Sequence, residues 1–331
     1  MPTGVATLDK STRGGLRSGG LVLCGGAPGS GKTSWLVDLA VGYARAGHPV
    51  VVLAIDEAAG GVLIRIGQLL GLTRSALERG DRDVRDELAA RLDDLAIVII
   101  DQDEDVGATV ESAAAHLGGM SAALGRPGVL VVDSVQKARC LASDDADGLR
   151  ARISAVVESL KAAAKTHDVL VLATSEMSRA TYRHKRPSEN GEALAGYKES
   201  GSLEYAATLA LSLSSVDDEH VLVEIAKNRL GPRPSFTLRL DRHRASFAEV
   251  PSDDALRQRH AAKVEGIAAR LVQLLAEKPE GIVGQRALHA LVGGHAADAH
   301  AAVRALVDSK RIVGGGRGVA YRVAETAQDA E

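Results

Sequence analysis

The chain has 331 residues, of which 45% are apolar, 25% are charged and only 2% are aromatic, with a formal net charge of −3. These values are ordinary for a globular protein of more than one domain, and a general polycation is excluded, so any nucleic-acid contact must come from local basic patches. Two distant cysteines, Cys24 and Cys140, exclude a disulfide framework and a zinc site and are typical of a reducing cytosol.

Short β-branched apolar runs alternate with Ala-rich stretches in the first half of the chain. We predict strands at 21–24, 50–55, 97–100, 129–132 and 169–173, and helices at 33–46, 62–70, 82–92, 108–124 and 149–166. This alternation predicts βαβ units and therefore an α/β fold with a parallel sheet. Three further strands, at 209–214, 221–227 and 235–240, follow one another through short turns. They predict an antiparallel extension at one edge of that sheet.

The C-terminal region predicts a small second domain. Residues 251–262 are polar with little apolar periodicity, and we interpret them as a linker between a large domain at 1–250 and a small domain at 263–325. Within the latter, three helices followed by a hairpin are the order of a winged helix, and residues 326–331 form an acidic tail. The N-terminus has no basic start followed by an apolar run, and the longest apolar run, 95–100, is far shorter than the ~20 residues that cross a bilayer. We therefore expect a cytoplasmic protein.

The strongest motif lies between the first predicted strand and the first predicted helix. It matches the phosphate-binding pattern GxxxxGK[ST] at each fixed position, and its members are Gly26, Ala27, Pro28, Gly29, Ser30, Gly31, Lys32 and Thr33. Its glycines allow consecutive backbone N–H groups to surround an anion, and the following helix directs its positive end at the same anion. Lys32 can reach the β- and γ-phosphates of ATP, Thr33 can bind Mg²⁺, and we add Ser34 to the ATP-binding residues.

Acidic residues follow two of the predicted strands. Asp133 comes directly after the strand at 129–132, at the sheet edge where open α/β sheets bind ligands. We interpret it as the second Mg²⁺ residue, holding the ion through water. Asp56 and Glu57 end the strand at 50–55, and one of them should orient or deprotonate the attacking water. Glu57 has the longer reach, and Asp56 stays an alternative.

Several segments together resemble the RecA-fold ATPases of the DnaB replicative helicase and RadA type, including the RepA-like plasmid helicases. The segments, in the family's order, are Thr3-Gly4 with Leu8-Asp9 and Arg13 to Leu16, Asp133-Ser134-Val135-Gln136, Ala173 to Arg179, Lys198 to Glu204, and Ala226 to Pro232. The resemblance extends from about residue 3 to residue 250. It implies a RecA-like P-loop NTPase core that hydrolyses Mg-ATP and moves on single-stranded DNA.

The resemblance also implies roles for single residues. Lys227 and Arg229 would act on the ATP of a neighbouring subunit, with Arg229 as the arginine finger, so the active unit would be a homo-oligomer, either a ring or a filament. The resemblance implies a hexameric ring. Glu176 stands where the family has a glutamine that senses the γ-phosphate. A carboxylate at that position is repelled by the γ-phosphate unless it is protonated or bound to the metal's water.

A basic stretch follows Glu176 and is the first candidate for DNA contact. Its cations are Arg179, Arg183, Lys185 and Arg186, with Tyr182 available for stacking on a base. An ordinary solvated loop is the alternative reading.

Other partners and functions stay open. The winged helix has few basic residues on its third helix and could bind duplex DNA or protein. Three functions stay open: a helicase, an ATPase that loads or remodels DNA-bound proteins, and a nucleotide-switched DNA-binding regulator.

Overall fold

A computed structural model of the chain describes residues 1–102, 104, 107–143, 146, 148–176, 206–250, 253–278, 280–292, 296–314 and 320–324. The chain divides into two compact units, Met1–Val250 and Pro251–Glu331. None of the helices within the described ranges combines the length and the apolar character that a membrane span requires.

The first unit is built on one nine-stranded sheet with the order β3-β2-β4-β5-β1-β6-β7-β8-β9. Its strands are β1 (Leu21–Gly26), β2 (Val50–Ala54), β3 (Ile97–Asp101), β4 (Val129–Asp133), β5 (Leu170–Glu176), β6 (Leu209–Ser215), β7 (His220–Asn228), β8 (Ser235–Asp241) and β9 (Ser246–Glu249). Strands β1 to β6 run parallel, whereas β7, β8 and β9 each pair antiparallel with the preceding strand. The predicted α/β fold with a mostly parallel sheet is confirmed.

Helices cover both faces of this sheet. They are α1 (Ala6–Ser11), α2 (Lys32–Arg45), α3 (Ala59–Leu69), α4 (Arg74–Arg79), α5 (Arg82–Asp93), α6 (Val110–Leu124) and α7 (Leu149–Thr166). Alternate residues of β1 enter two different cores: Val22 and Cys24 pack with α2 and α3, and Leu21 and Leu23 pack with α6 and α7. Burial on both faces explains why the strands are continuous β-branched runs.

The sheet extension differs from the sequence prediction in one strand. β6 pairs parallel with β1, with Leu209 opposite Val22, and only its other neighbour, β7, is antiparallel. The long connection before β6 allows this crossover, whereas the short turns after β6 and β7 permit only antiparallel hairpins. The edge strand β9 and the short helices α1 and α4 were not predicted, because four to six residues carry too little periodicity.

The second unit contains three helices and a three-stranded sheet. Helix α8 (Asp253–Ala276) is followed by β10 (Ile282–Val283), α9 (Gln285–Val292), α10 (Ala296–Asp308), β11 (Ile312–Val313) and β12 (Ala320–Val323), and the sheet order is β10-β12-β11. Leu271, Leu288 and Leu306, one from each helix, share its core.

One predicted boundary is corrected here. Residues 253–262, interpreted from the sequence as a linker, form the first part of α8. Ala, Leu, Arg and Gln are strong helix formers, so this segment is helical even though it lacks an apolar stripe.

Candidate nucleotide site

The loop between β1 and α2 forms a cradle of backbone groups. Gly29 and Gly31 have φ angles of 77° and 89°, in the left-handed region that favours glycine. Helix α2 begins at Lys32, directly after Gly31, so the unpaired N–H groups of its first turn face the loop. The backbone of residues 26–33 therefore has the shape and the dipole direction of an anion site.

Lys32 and Ser30 lie within this cradle. The Nζ of Lys32 donates to the carbonyl oxygens of Gly26 and Ala27, both at 3.0 Å, so the ammonium lies across the loop. Ser30 is buried, and its Oγ is one of the few buried polar atoms of the described chain without a hydrogen-bond partner. An ammonium bound only to neutral carbonyls gains more from a phosphate, because charge-assisted hydrogen bonds are stronger.

Asp133 is the last residue of β4, and β5 lies between this strand and β1. A buried threonine of β5 contacts Asp133 beside β1. Thr174 on β5 lies opposite Cys24 on β1, and its hydroxyl donates to Oδ1 of Asp133. Burial raises the pKa of the Cys24 thiol to about 12, with the charge of Lys32 opposing that shift and the charge of Asp133 adding to it. Both predicted residues thus lie close to the same point of β1.

The oxygen donors of this edge fit Mg²⁺. Thr33 is half-buried in the first turn of α2, and Asp133 is only 6% exposed, with one carboxylate oxygen held by Thr174. Hydroxyl and carboxylate oxygens are the ligands that Mg²⁺ takes beside nucleotide phosphates. The orientation of the Asp133 carboxylate is set before any ion binds.

The two acids after β2 have different partners. Asp56 forms an ion pair with Lys137, which follows β4. Glu57 forms an ion pair with Arg65 of α3, and the Nε of Arg65 donates to Ser34 Oγ at 3.1 Å. Arg65 therefore joins Glu57 to the first turn of the P-loop helix, whereas Asp56 is drawn toward the end of β4.

Glu176 is the last residue of β5 and lies opposite Gly26 in the sheet. Its side chain is exposed, but its backbone is fixed by Gln136, whose Oε1 accepts from Glu176 N at 3.1 Å and whose Nε2 donates to Glu176 O at 3.2 Å. The same Nε2 donates to Ser175 Oγ at 3.0 Å. The end of β5 is thereby held to the turn after Asp133.

Lys227 is the second-to-last residue of β7, and Arg229 follows that strand. Both lie toward the end of the sheet at which β1 begins, away from the P-loop. Arg229 N donates to Thr208 O, and Thr208 N donates to Leu21 O at the start of β1. The P-loop begins at Gly26, five residues further along β1 and thus roughly 16 Å away. The structure does not bring these two cations to the phosphate cradle of their own chain.

Strand β9 reaches the P-loop from the side. A Cβ added to Gly31 would lie 3.4 Å from Cζ of Phe247. Phe247 N donates to Asp38 Oδ2 on α2 at 2.8 Å, and burial raises the pKa of Asp38 to about 6. An aromatic ring at the start of α2 and a half-buried carboxylate in its middle thus join this helix to β9.

Other predicted residues lie outside the described part of the chain. They are Arg179, Tyr182, Arg183, Lys185 and Arg186 of the basic stretch, together with the segment at 198–204.

Sequence reasoning missed the supporting roles of Arg65, Gln136, Thr174 and Phe247. Gln136 and Thr174 stand inside quoted motifs, so their neighbourhood was a usable signal. Nothing local marks Arg65 or Phe247, because their contacts join parts of the chain that are distant in sequence.

We expect Gly26→Ala to disrupt the cradle. A Cβ at Gly26 would lie 2.6 Å from both Leu213 O and Ser30 Oγ, and the backbone carbonyl cannot move aside cheaply. Overpacking of this kind costs about 1–3 kcal/mol and should weaken ATP binding, measured by urea unfolding and by titration with a fluorescent ATP analogue. Gly42→Ala on α2 is the control: a Cβ there meets nothing within 4 Å, so stability should rise slightly. Equal behaviour of both variants would contradict the prediction.

Asp38 should give the folded chain a measurable pH dependence. Its pKa is raised from 3.8 to about 6, so the folded state holds the proton more tightly than the unfolded state does. Relative to Asp38→Asn, the wild type should lose about 1–3 kcal/mol of unfolding free energy as the pH rises from 4 to 7. Denaturant unfolding across that range measures the difference, with the exposed Asp93→Asn as control. A difference that does not change with pH would contradict the assignment.

The sequence is similar to those of known helicase and DNA repair proteins. The sequence matches the DnaB-like helicase C terminal domain family over residues 1–249. The DNA repair protein RadA of Mycobacterium tuberculosis is 26% identical over 178 residues, 54% of this chain and 31% of that protein. The replicative DNA helicase DnaB of Haemophilus influenzae is 27% identical over 248 residues, 70% of this chain and 51% of that protein. The chain thus spans about a third to a half of the length of these relatives.

The fold agrees with this family. A solved structure of a DnaB-like replicative helicase, studied for its interactions with primase, aligns with a TM-score of 0.62 at 21% identity, covering 76% of this chain and 62% of that one. The match over residues 1–249 includes the P-loop, Asp133 and Arg229. Since it takes in the nucleotide site as well as the sheet, the chain belongs to the DnaB-like helicase C-terminal domain family and has its RecA-like fold.

Proposed function

We propose that the protein is an ATP-driven DNA motor, a helicase that hydrolyses Mg-ATP between subunits and moves on single-stranded DNA. The observation that carries the proposal is the distribution of charge over the sheet. Lys32, Asp133 and Glu176 lie where the parallel strands end, and Arg229 lies where β1 begins. A site divided in this way is completed by a second copy of the chain.

Each residue of the P-loop edge has a role in this proposal. The backbone of residues 26–31 and Lys32 hold the phosphates, and Ser34 lies in the same first helical turn. Thr33 and Asp133 would hold Mg²⁺, which would neutralise charge that develops on the β- and γ-phosphates. Glu57 orients the attacking water and accepts its proton, because Arg65 joins it to Ser34 beside the cradle. Asp56, paired with Lys137, is the alternative base.

Arg229 supplies positive charge to the transition state of a neighbouring subunit, and Lys227 assists it. Only a head-to-tail contact joins the start of β1 in one copy to the end of β1 in the next, and repetition of such a contact builds a ring or a filament. We propose a hexamer, the assembly that the family resemblance implies.

The basic stretch after Glu176 is our candidate for the DNA contact. Arg179, Arg183, Lys185 and Arg186 continue the chain from the edge of the sheet where ATP would bind. In a ring they would neutralise the phosphates of a single strand in the central channel.

The C-terminal unit is proposed to be a winged helix, following an ATPase domain at 1–250. Its described order, one helix, one strand, two helices and two strands, supports this assignment. Helix α10 has Arg304 as its only Lys or Arg. Its partner is therefore duplex DNA held mainly through phosphates, or a protein.

One feature supports a second function. Glu176 places a carboxylate beside the P-loop strand, where the family resemblance implies a neutral glutamine. A negative charge there weakens a direct response to the γ-phosphate. This favours an ATPase that loads or remodels DNA-bound proteins without unwinding, and a strand-displacement assay separates the two functions.

We expect single-stranded DNA to stimulate steady-state ATP hydrolysis by the wild type. Arg229→Ala should lose on the order of 10³-fold or more of that activity, because a trans finger stabilises transition-state charge. Lys32→Ala should be inactive, and Arg239→Ala, an exposed arginine on β8, should behave like the wild type.

Mixing the two inactive variants tests the arrangement in trans. Lys32→Ala subunits retain the finger and Arg229→Ala subunits retain the P-loop, so mixed assemblies should regain part of the activity. A mixture that stays inactive would contradict the shared site. Hydrolysis that responds neither to DNA nor to Arg229→Ala would instead indicate a nucleotide-switched regulator.

A further inference from the structure

A basic cleft lies on the first unit, away from the P-loop. It has a volume of about 920 Å³ and is formed by the end of α2, the connection from α3 to α4, and the turn between β8 and β9. Arg45 lies in this cleft, 13 residues after Lys32 on the same helix, so the two sites are separated by roughly 20 Å. None of the residues at 26–34 lines it.

The cleft concentrates positive charge on a chain whose net charge is −3. Among its described lining residues, Arg45, Arg74, Arg242 and Arg244 stand against one acid, Glu78. Asp241, at the end of β8, lies next to this group, and its Oδ1 accepts from the backbone N–H of both His243 and Arg244. The charged side chains that face the cleft are therefore mainly guanidinium groups.

The β8–β9 turn is held in place by buried and backbone contacts. Gln68 is 3% exposed, and its Nε2 donates to Arg242 O at 3.1 Å and to His243 O at 3.0 Å. The guanidinium of Arg242 donates twice to Asp218 O, at 3.0 and 2.6 Å. These bonds fix the turn and the guanidinium of Arg242 before a ligand arrives, which lowers the entropy that binding has to overcome.

The existing bonds of the other arginines leave donors available. Arg45 donates to Leu69 O through Nη2, and Arg74 donates to Glu78 through Nε. A guanidinium has five N–H donors in a planar fork, and that fork matches the oxygens of a phosphate. Each group can therefore keep its structural bond and contact a ligand as well.

We propose that this cleft binds a small anion that carries two or more phosphates. The cleft volume is that of a small-molecule site, and four arginines supply bidentate contacts for several phosphate oxygens. None of the described lining residues is Phe, Tyr or Trp, so recognition rests on the phosphates and not on the stacking of a base. This site goes beyond the proposed motor function and does not require movement on DNA.

The test measures binding of tripolyphosphate by isothermal titration calorimetry. Lys32→Ala is the parent protein, because it removes the P-loop lysine that would compete for the same probe. Into this parent, Arg74→Ala and Arg244→Ala are introduced together. The control adds Arg82→Ala and Arg85→Ala on the exposed side of α5, which removes the same charge outside the cleft. Urea unfolding of each protein establishes that the fold is retained.

We expect the parent and the control to bind tripolyphosphate, and the cleft variant to bind at least about tenfold more weakly, because two charge-assisted contacts are lost. Absence of binding in the parent would overturn the proposal by assigning all binding to the P-loop. Equal weakening in the control would overturn it by assigning binding to general charge. A single-stranded oligonucleotide that binds through Arg74 and Arg244 when tripolyphosphate does not would assign the cleft to DNA and also overturn it.

Discussion

The parallel register around β1 is the constraint on which the rest of the structure depends. Because β5 and β6 flank β1 in the same direction, all three strands end at one edge, where unpaired backbone N–H groups and acidic side chains meet. Thr174 opposite Cys24 then holds the Asp133 carboxylate, and Glu176 opposite Gly26 stands beside the cradle. A shift of one residue along β5 would turn each of these side chains to the opposite face.

The same sheet places the P-loop and the proposed arginine finger, Arg229, at opposite ends of its strands. β7 runs antiparallel to β6, so the residues that follow it emerge at the edge opposite the P-loop. The position of Arg229 at that edge is the physical reason for proposing a site shared between copies. In the proposed ring, ATP bound at one interface would contact the sheets of two neighbouring copies.

Helices α2 and α3 connect the nucleotide site to the basic cleft. The N-terminal end of α2 carries Lys32, and that of α3 lies near Glu57. At the other end, Gln68 of α3 bonds to the β8–β9 turn, and Arg45 of α2 lines the same cleft. Phe247 and Asp38 add a contact from β9 to the start of α2. A ligand in the cleft would therefore contact two helices whose other ends lie at the candidate nucleotide site.

The sequence alone determined what depends on local order. Glycine spacing with a lysine identified the cradle, and apolar runs ending in acids identified the strands and Asp133, because these signals lie within a few residues of one another. Only the tertiary structure decided the parallel pairing of β6, the partners of Glu57 and Asp56, and the basic cleft. Each depends on contacts between segments distant in the chain, such as Arg65 with Ser34 or Gln68 with the β8–β9 turn. Such contacts leave no periodic pattern, because chain folding, not local propensity, brings the groups together.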